Sequence, residues 1–92
     1  MWNNVYLIGG YYMKLYECNN IVQVAHKVAE LTNTKLNRDD WKYYCNELKR
    51  NRYYTTDSID YTAFDNNGNE IDVKIILQFD KTTRQFLVGI EE

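Results

Sequence analysis

The fold of this chain is decided by its final stretch, where residues 58 to 90 read SIDYTAFDNNGNEIDVKIILQFDKTTRQFLVGI. Apolar and polar residues alternate along three runs of this stretch, and a period of two indicates β-strands with one buried face. The apolar positions are Ile59, Tyr61 and Ala63 in the first run, Ile71, Val73, Ile75, Leu77 and Phe79 in the second, and Phe86, Val88 and Ile90 in the third. The pattern predicts a three-stranded antiparallel meander.

The lengths of the two connections predict the register of this meander. A three-residue loop over residues 66 to 68, with Gly68 in the left-handed conformation, keeps all apolar side chains on one face. A two-residue loop would set polar residues opposite apolar ones, so we prefer the odd length. The second connection, residues 81 to 84, has an even length. The predicted pairs are Ala63 with Ile71, Tyr61 with Val73, Ile59 with Ile75 and Leu77 with Val88.

Two amphipathic helices are predicted upstream of the meander. Asn20 can cap the first, with Gln23 at the third helical position as in a capping box. The second starts at Asn37, carries Asp39 and Asp40 in its first turn and ends in cations, as the helix dipole favours. The apolar stripes expected to be buried are Ile21, Val24, Ala25, Val28 and Leu31 on the first helix, and Trp41, Tyr44, Cys45 and Leu48 on the second.

The chain opens with a predicted β-hairpin. The apolar run from Val5 to Ile8 leads into Gly9-Gly10, and an alternating run follows as far as Tyr16. The fold class is therefore α+β: an N-terminal β-hairpin, two helices, then a three-stranded antiparallel meander with the helices packed on one face. Residues 1 to 92 form a single domain. Periodicity does not settle whether the hairpin joins the main sheet.

Composition narrows the class of protein further. The 92 residues include no proline, eleven Asn and nine Tyr, a bias that AT-rich coding sequences favour. No basic segment precedes the first apolar run, which is too short for a signal peptide or a membrane span. We therefore expect a cytoplasmic protein without a membrane partner. Cys18 and Cys45 are widely spaced, and we expect both to be reduced thiols.

No pattern in the sequence predicts catalysis. His26 is the single histidine and has no orienting partner or nucleophile nearby in the sequence. The spacing of Cys18, His26 and Cys45 lacks the paired ligands of zinc sites, and the stretch from Asp65 to Glu70 lacks calcium-loop spacing. Phosphate loops and nucleophile elbows are absent. We predict that the protein is not an enzyme and has no catalytic residues, metal site or cofactor.

Charge is distributed unevenly along the chain. Residues 1 to 56 carry eight Lys or Arg and five Asp or Glu, whereas residues 57 to 92 carry three and eight. Strand alternation turns several acids of the second part away from the core, together with apolar residues that should face water unless the hairpin covers them. Such a face suits a basic protein partner. The candidate protein interface consists of Asp60, Phe64, Asp72, Ile76, Leu87 and Glu91.

A second candidate surface lies on the second helix and the segment after it. Cations alternate there with tyrosines, and such a mixture can contact phosphates and stack on bases. The cations also complement the helix dipole, so a purely structural interpretation stays open. The candidate residues for a nucleic-acid or helix-face interface are Lys42, Tyr43, Glu47, Lys49, Arg50 and Arg52.

Three hypotheses for function follow from these patterns. The first is a small non-enzymatic protein-binding module. In its specific form it is a phage or mobile-element inhibitor of a host nucleic-acid-handling defence enzyme, of the anti-CRISPR or immunity-protein type, whose acidic face fills a basic groove. The second is a small DNA- or RNA-binding regulator that uses the second helix. The third is a structural domain that forms homodimers.

Overall fold

The computed structural model describes residues 4–8 and 11–91, which form two helices and five antiparallel strands. The mixed α+β class and both predicted helices are confirmed. In chain order the elements are β1 (Asn4–Ile8), β2 (Tyr11–Cys18), α1 (Ile21–Thr32), α2 (Arg38–Arg50), β3 (Thr56–Phe64), β4 (Glu70–Asp80) and β5 (Gln85–Glu91).

The predicted register of β3, β4 and β5 is confirmed. Ala63 lies opposite Ile71 and Leu77 lies opposite Val88. Gly68 has a φ of 85°, which is the left-handed conformation that the three-residue loop requires. The Asp65 carboxylate accepts hydrogen bonds from the backbone N–H groups of Asn67 and Asn69, both at 2.8 Å, and so holds this loop in shape.

The predicted arrangement of a hairpin plus a three-stranded meander is partly wrong, and the structure decides the question that periodicity left open. Strand β2 pairs with β5, from Tyr16 opposite Val88 to Cys18 opposite Phe86, so the main sheet has four strands in the order β2-β5-β4-β3. Strand β1 pairs with the other side of β2. The free side of β5 offers backbone donors and acceptors that β2 satisfies. The predicted Gly9-Gly10 turn lies outside the described residues.

Both helices begin at the predicted caps and pack on the inner face of the sheet. The Asn20 Oδ1 atom accepts from the Gln23 N–H at 2.9 Å, and the Asn37 Oδ1 atom accepts from the Asp40 N–H at 3.1 Å. Asn37 is thus the cap of α2, and the helix itself starts one residue later. The residues buried on the two helices are Val24, Ala25, Val28, Trp41, Cys45 and Leu48.

The main core lies between the helices and this inner face. Trp41 is completely buried, and its ring lies 5.0 Å from that of Tyr61 and 5.2 Å from that of Tyr44. The sheet contributes the apolar residues that the alternation predicts. The opposite, outer face of the sheet is consequently turned away from both helices.

Candidate functional site

The outer face of β3 and β4 carries the acidic residues that strand alternation places there. Asp60 lies opposite Lys74, Thr62 opposite Asp72, and Phe64 opposite Glu70. All of these side chains are exposed because their neighbours in sequence occupy the inner face. Glu91 lies on the next strand, opposite Lys74, and is also exposed. We call the residues Asp60, Phe64, Glu70, Asp72, Lys74 and Glu91 the acidic face.

The acidic face keeps a net negative charge because it holds four carboxylates and one ammonium group. Lys74 Nζ lies 3.7 Å from an Asp60 carboxylate oxygen, but the Asp60 side chain is 89% exposed and the ion pair is therefore weak. The Thr62 hydroxyl donates to Asp72 Oδ1 at 2.6 Å. This hydrogen bond orients one carboxylate and leaves its second oxygen directed to solvent or a partner.

Two residues of the predicted protein interface do not face water. Ile76 and Leu87 are only 4% and 5% exposed, so their place in the predicted interface is wrong, and the alternative that the hairpin covers them is confirmed. They form a buried cluster on the outer face with Met13 and Leu15 of β2. The physical reason is that β2 pairs with β5 and thereby brings its own apolar side chains beside them. Phe64 remains 55% exposed, as predicted.

Gly89 permits the close contact between β2 and β5. A Cβ atom at this position would lie 2.5 Å from the Lys14 carbonyl oxygen and 2.8 Å from Leu15 Cδ2. Any side chain would force the two strands apart. Gly89 was not among the predicted site residues, although a glycine inside a strand pattern signals close approach of another backbone.

Strand β3 forms one edge of the sheet, as the first strand of the predicted meander, and no strand besides β4 pairs with it in the described part of the chain. The Phe79 N–H donates to the Thr55 carbonyl at 2.8 Å, so odd-numbered residues of this segment direct their backbone groups at β4. Even-numbered residues then direct theirs away from the sheet. At Phe64 the outward carbonyl accepts from the Lys35 N–H at 3.2 Å. Among the described residues, no backbone partner is present for the outward groups of Ser58, Asp60 and Thr62.

The second predicted surface is also exposed, on the side of the molecule that carries the helices. Tyr43 is 62% exposed, and the Arg50 guanidinium pairs with the Glu47 carboxylate one turn away. The remaining predicted residues there, Lys42, Lys49 and Arg52, are exposed as well. This surface and the acidic face lie on opposite sides of the sheet, so the structure does not bring them together.

Two exposed tyrosines adjoin this second surface. The Asn51 side chain accepts hydrogen bonds from the N–H groups of Tyr53 and Tyr54, at 2.8 and 3.0 Å, which fixes the backbone after α2. Tyr53 is 91% exposed and Tyr54 is 52% exposed. Both tyrosines belong to the mixture of cations and aromatic residues noted in the sequence, but exposure of their rings depends on the turn that Asn51 makes.

The residues considered for catalysis or metal binding differ in their exposure to solvent. His26 is exposed on α1, whereas Cys18 and Cys45 are buried free thiols. Burial raises the pKa of Cys18 to about 11 and that of Cys45 to about 12, so both stay protonated near neutral pH. No group of three metal-ligating side chains occurs within residues 4–8 and 11–91.

Neither described helix is long and apolar enough to cross a membrane. A comparison with known proteins finds no matching family, no matching curated protein and no matching solved structure.

Proposed function

We propose that the protein is a non-enzymatic protein-binding module whose acidic face meets a basic surface of its partner. The observation that carries this proposal is the concentration of four exposed carboxylates around a single ammonium group on one flat face of the sheet. Phe64 provides an exposed apolar contact at the end of the same face. An interface of this kind gains its association rate from charge and its lifetime from the apolar contact.

In its specific form, the proposal is an inhibitor encoded by a phage or mobile element. The partner is then a host enzyme that handles nucleic acid, and the acidic face occupies the groove that normally holds phosphates. The composition typical of AT-rich coding sequences and the small size of the chain favour this form. The burial of Ile76 and Leu87 means that Phe64, rather than these two residues, supplies the apolar contact.

A charge-reversal experiment tests the acidic face. The partner is first captured from a bacterial lysate with and without nuclease, and its association rate is then measured across a salt series. The Asp60→Lys, Asp72→Lys double variant should associate about tenfold more slowly at low salt. A Glu30→Lys, Asp39→Lys variant makes the same change of charge on exposed helix positions and should have a much smaller effect.

If both double variants bind the captured partner as fast and as tightly as the wild type, the acidic face is only a solvated surface. Folding of each variant is checked by its thermal midpoint. Since all four substituted side chains are exposed, both double variants should stay folded.

A second candidate function is nucleic-acid binding by the helix surface. Nearly complete exposure of Tyr53 beside Arg50 and Arg52 favours it, because exposed rings can stack on bases while cations contact phosphates. The Arg50→Glu, Arg52→Glu variant should then bind single strands more weakly, and the wild-type affinity should fall steeply with salt. No measurable wild-type binding at low salt would exclude this function.

A further inference from the structure

The free edge of β3 is an accessible template for another strand. Its outward backbone groups belong to Thr56, Ser58, Asp60 and Thr62, and these residues are exposed or half-buried. The far end of the edge is closed, because Thr34 bridges Asp65 and Lys35 bonds to Phe64. The open stretch is therefore long enough for a short extended segment to form several backbone hydrogen bonds.

The two sides of this edge differ in chemistry. On the outer side, the exposed Asp60 carboxylate projects beside the edge. On the inner side, the Tyr61 ring of β3 packs against Trp41, whose ring also contacts that of Tyr44. The exposed Asp57 side chain also lies on the inner side, two residues before the buried Ile59.

We propose that the β3 edge takes an extended basic segment of the partner as an added strand, with Lys or Arg on its outer side beside Asp60. Strand addition gives affinity through backbone hydrogen bonds and specificity through alternate side chains. Lys or Arg side chains on the outer side of the segment would meet the exposed Asp60 carboxylate. This inference rests on the proposed function, for which it names the mode of binding.

Charge argues for a basic segment rather than for a second copy of the chain. If two β3 edges paired antiparallel near their centres, Asp60 of one copy would approach Asp60 of the other on the outer face. Like charges on adjacent strands are destabilising. Lysine or arginine on the outer side of the added strand would instead pair with the Asp60 carboxylate.

Proline at an outward position blocks the edge without removing a hydrogen bond to β4. Ser58 directs its N–H away from the sheet, so Ser58→Pro removes one outward donor and places a ring beside the edge. Ser58→Ala is the matched control, since it removes the hydroxyl and keeps the N–H. Thr56→Pro makes the same kind of change at the preceding outward position. It replaces Ser58→Pro in the experiment if that variant does not fold.

The probe is a synthetic seven-residue peptide of alternating lysine and valine with blocked ends. Wild-type protein should bind it with slowed hydrogen exchange at the amides of Ser58, Asp60 and Thr62. The proline variant should bind it about tenfold more weakly, and the alanine variant within about twofold of wild type. A peptide with glutamate in place of lysine should bind much more weakly than the basic peptide.

Three results would overturn the inference. They are unchanged exchange at the three outward amides with saturating peptide, equal binding by the proline variant and the wild type, and self-association of the wild type through this edge without peptide. Binding of the captured partner distinguishes a failure of this inference from a failure of the proposed function. Suppose that charge reversal at Asp60 and Asp72 weakens binding of that partner and Ser58→Pro does not. The acidic face is then the binding surface, and strand addition is wrong.

Discussion

Trp41 is the largest side chain in the core and an informative residue for the packing of α2. Its ring is fully buried, but its Nε1–H has no hydrogen-bond partner within the described part of the chain. A buried donor without a partner costs about 1 to 3 kcal/mol, so the stabilisation from the ring must exceed this cost. The aromatic contacts with Tyr44 and Tyr61 contribute to that stabilisation.

Truncation of Trp41 should therefore destabilise the protein strongly. We expect Trp41→Ala to lower the free energy of unfolding by about 3 to 5 kcal/mol, because it leaves a large cavity between α2 and the sheet. Trp41→Phe should cost clearly less, since it keeps a ring and removes the unpaired donor. Urea unfolding measures both. An unchanged unfolding midpoint for Trp41→Ala would contradict the packing of α2 described above.

At the scale of elements, the attachment of β2 to β5 depends on Gly89. We expect Gly89→Ala to destabilise the fold by about 1 to 3 kcal/mol, because the new methyl group overlaps the Lys14 carbonyl and Leu15. Hydrogen exchange at residues 16 to 18 should become faster in this variant. Thermal unfolding and amide exchange are the measurements.

Gly68→Ala is the matched control for this change. Its cost of about 1 kcal/mol should come from the left-handed backbone alone, because no atom lies within 4 Å of the added methyl group. Exchange in β2 should stay as in the wild type. If both glycine variants disturb β2 equally, Gly89 has no special part in holding the strand.

The cluster of Met13, Leu15, Ile76 and Leu87 on the outer face joins the same two strands to β4. We expect Leu87→Ala to lower the free energy of unfolding by about 2 to 5 kcal/mol, as for a core residue. Phe64→Ala, at an exposed position of the same face, should change it by about 0.5 kcal/mol or less. Chemical denaturation compares them. Equal stability of the two variants would show that Leu87 is not held in a core.

For the whole molecule, the two buried thiols predict loss of stability in alkaline solution. The pKa of Cys18 is raised from 9.0 to about 11 and that of Cys45 from 9.0 to about 12, in each case mainly by burial. Below pH 9 both thiols are protonated in the folded and unfolded chains, and stability does not depend on them. Above pH 9 the unfolded chain releases protons that the folded chain retains, so stability falls until about pH 12.

Between pH 9 and pH 10 each thiol should account for a loss on the order of 1 kcal/mol. Burial also raises the pKa values of Tyr44 and Tyr61, which extends the loss to higher pH. Urea midpoints measured from pH 7.5 to pH 11 test this expectation. Cys45→Ala should be less stable at neutral pH but should lose less stability on going to pH 10. The same slope in this variant and the wild type would count against the thiol as the cause.

The sequence by itself determined the features that depend on neighbours along the chain. The odd loop ending in Gly68 set the register of β3 and β4, because a shift of one residue would have exposed every apolar side chain of one strand. Asn20 and Asn37 marked the helix starts through hydrogen bonds that span three residues. The exposed positions of Asp60 and Asp72 followed from the same alternation.

Only the tertiary structure decided which strands lie side by side. Backbone hydrogen bonds are alike for every strand, so periodicity does not distinguish the edge of β5 from that of β3 as the place where β2 attaches. The choice depends on contacts between residues far apart in sequence, such as Leu15 against Gly89. That choice buried Ile76 and Leu87 on the outer face, so two of the three apolar residues of the predicted interface were lost, and it left the edge of β3 open.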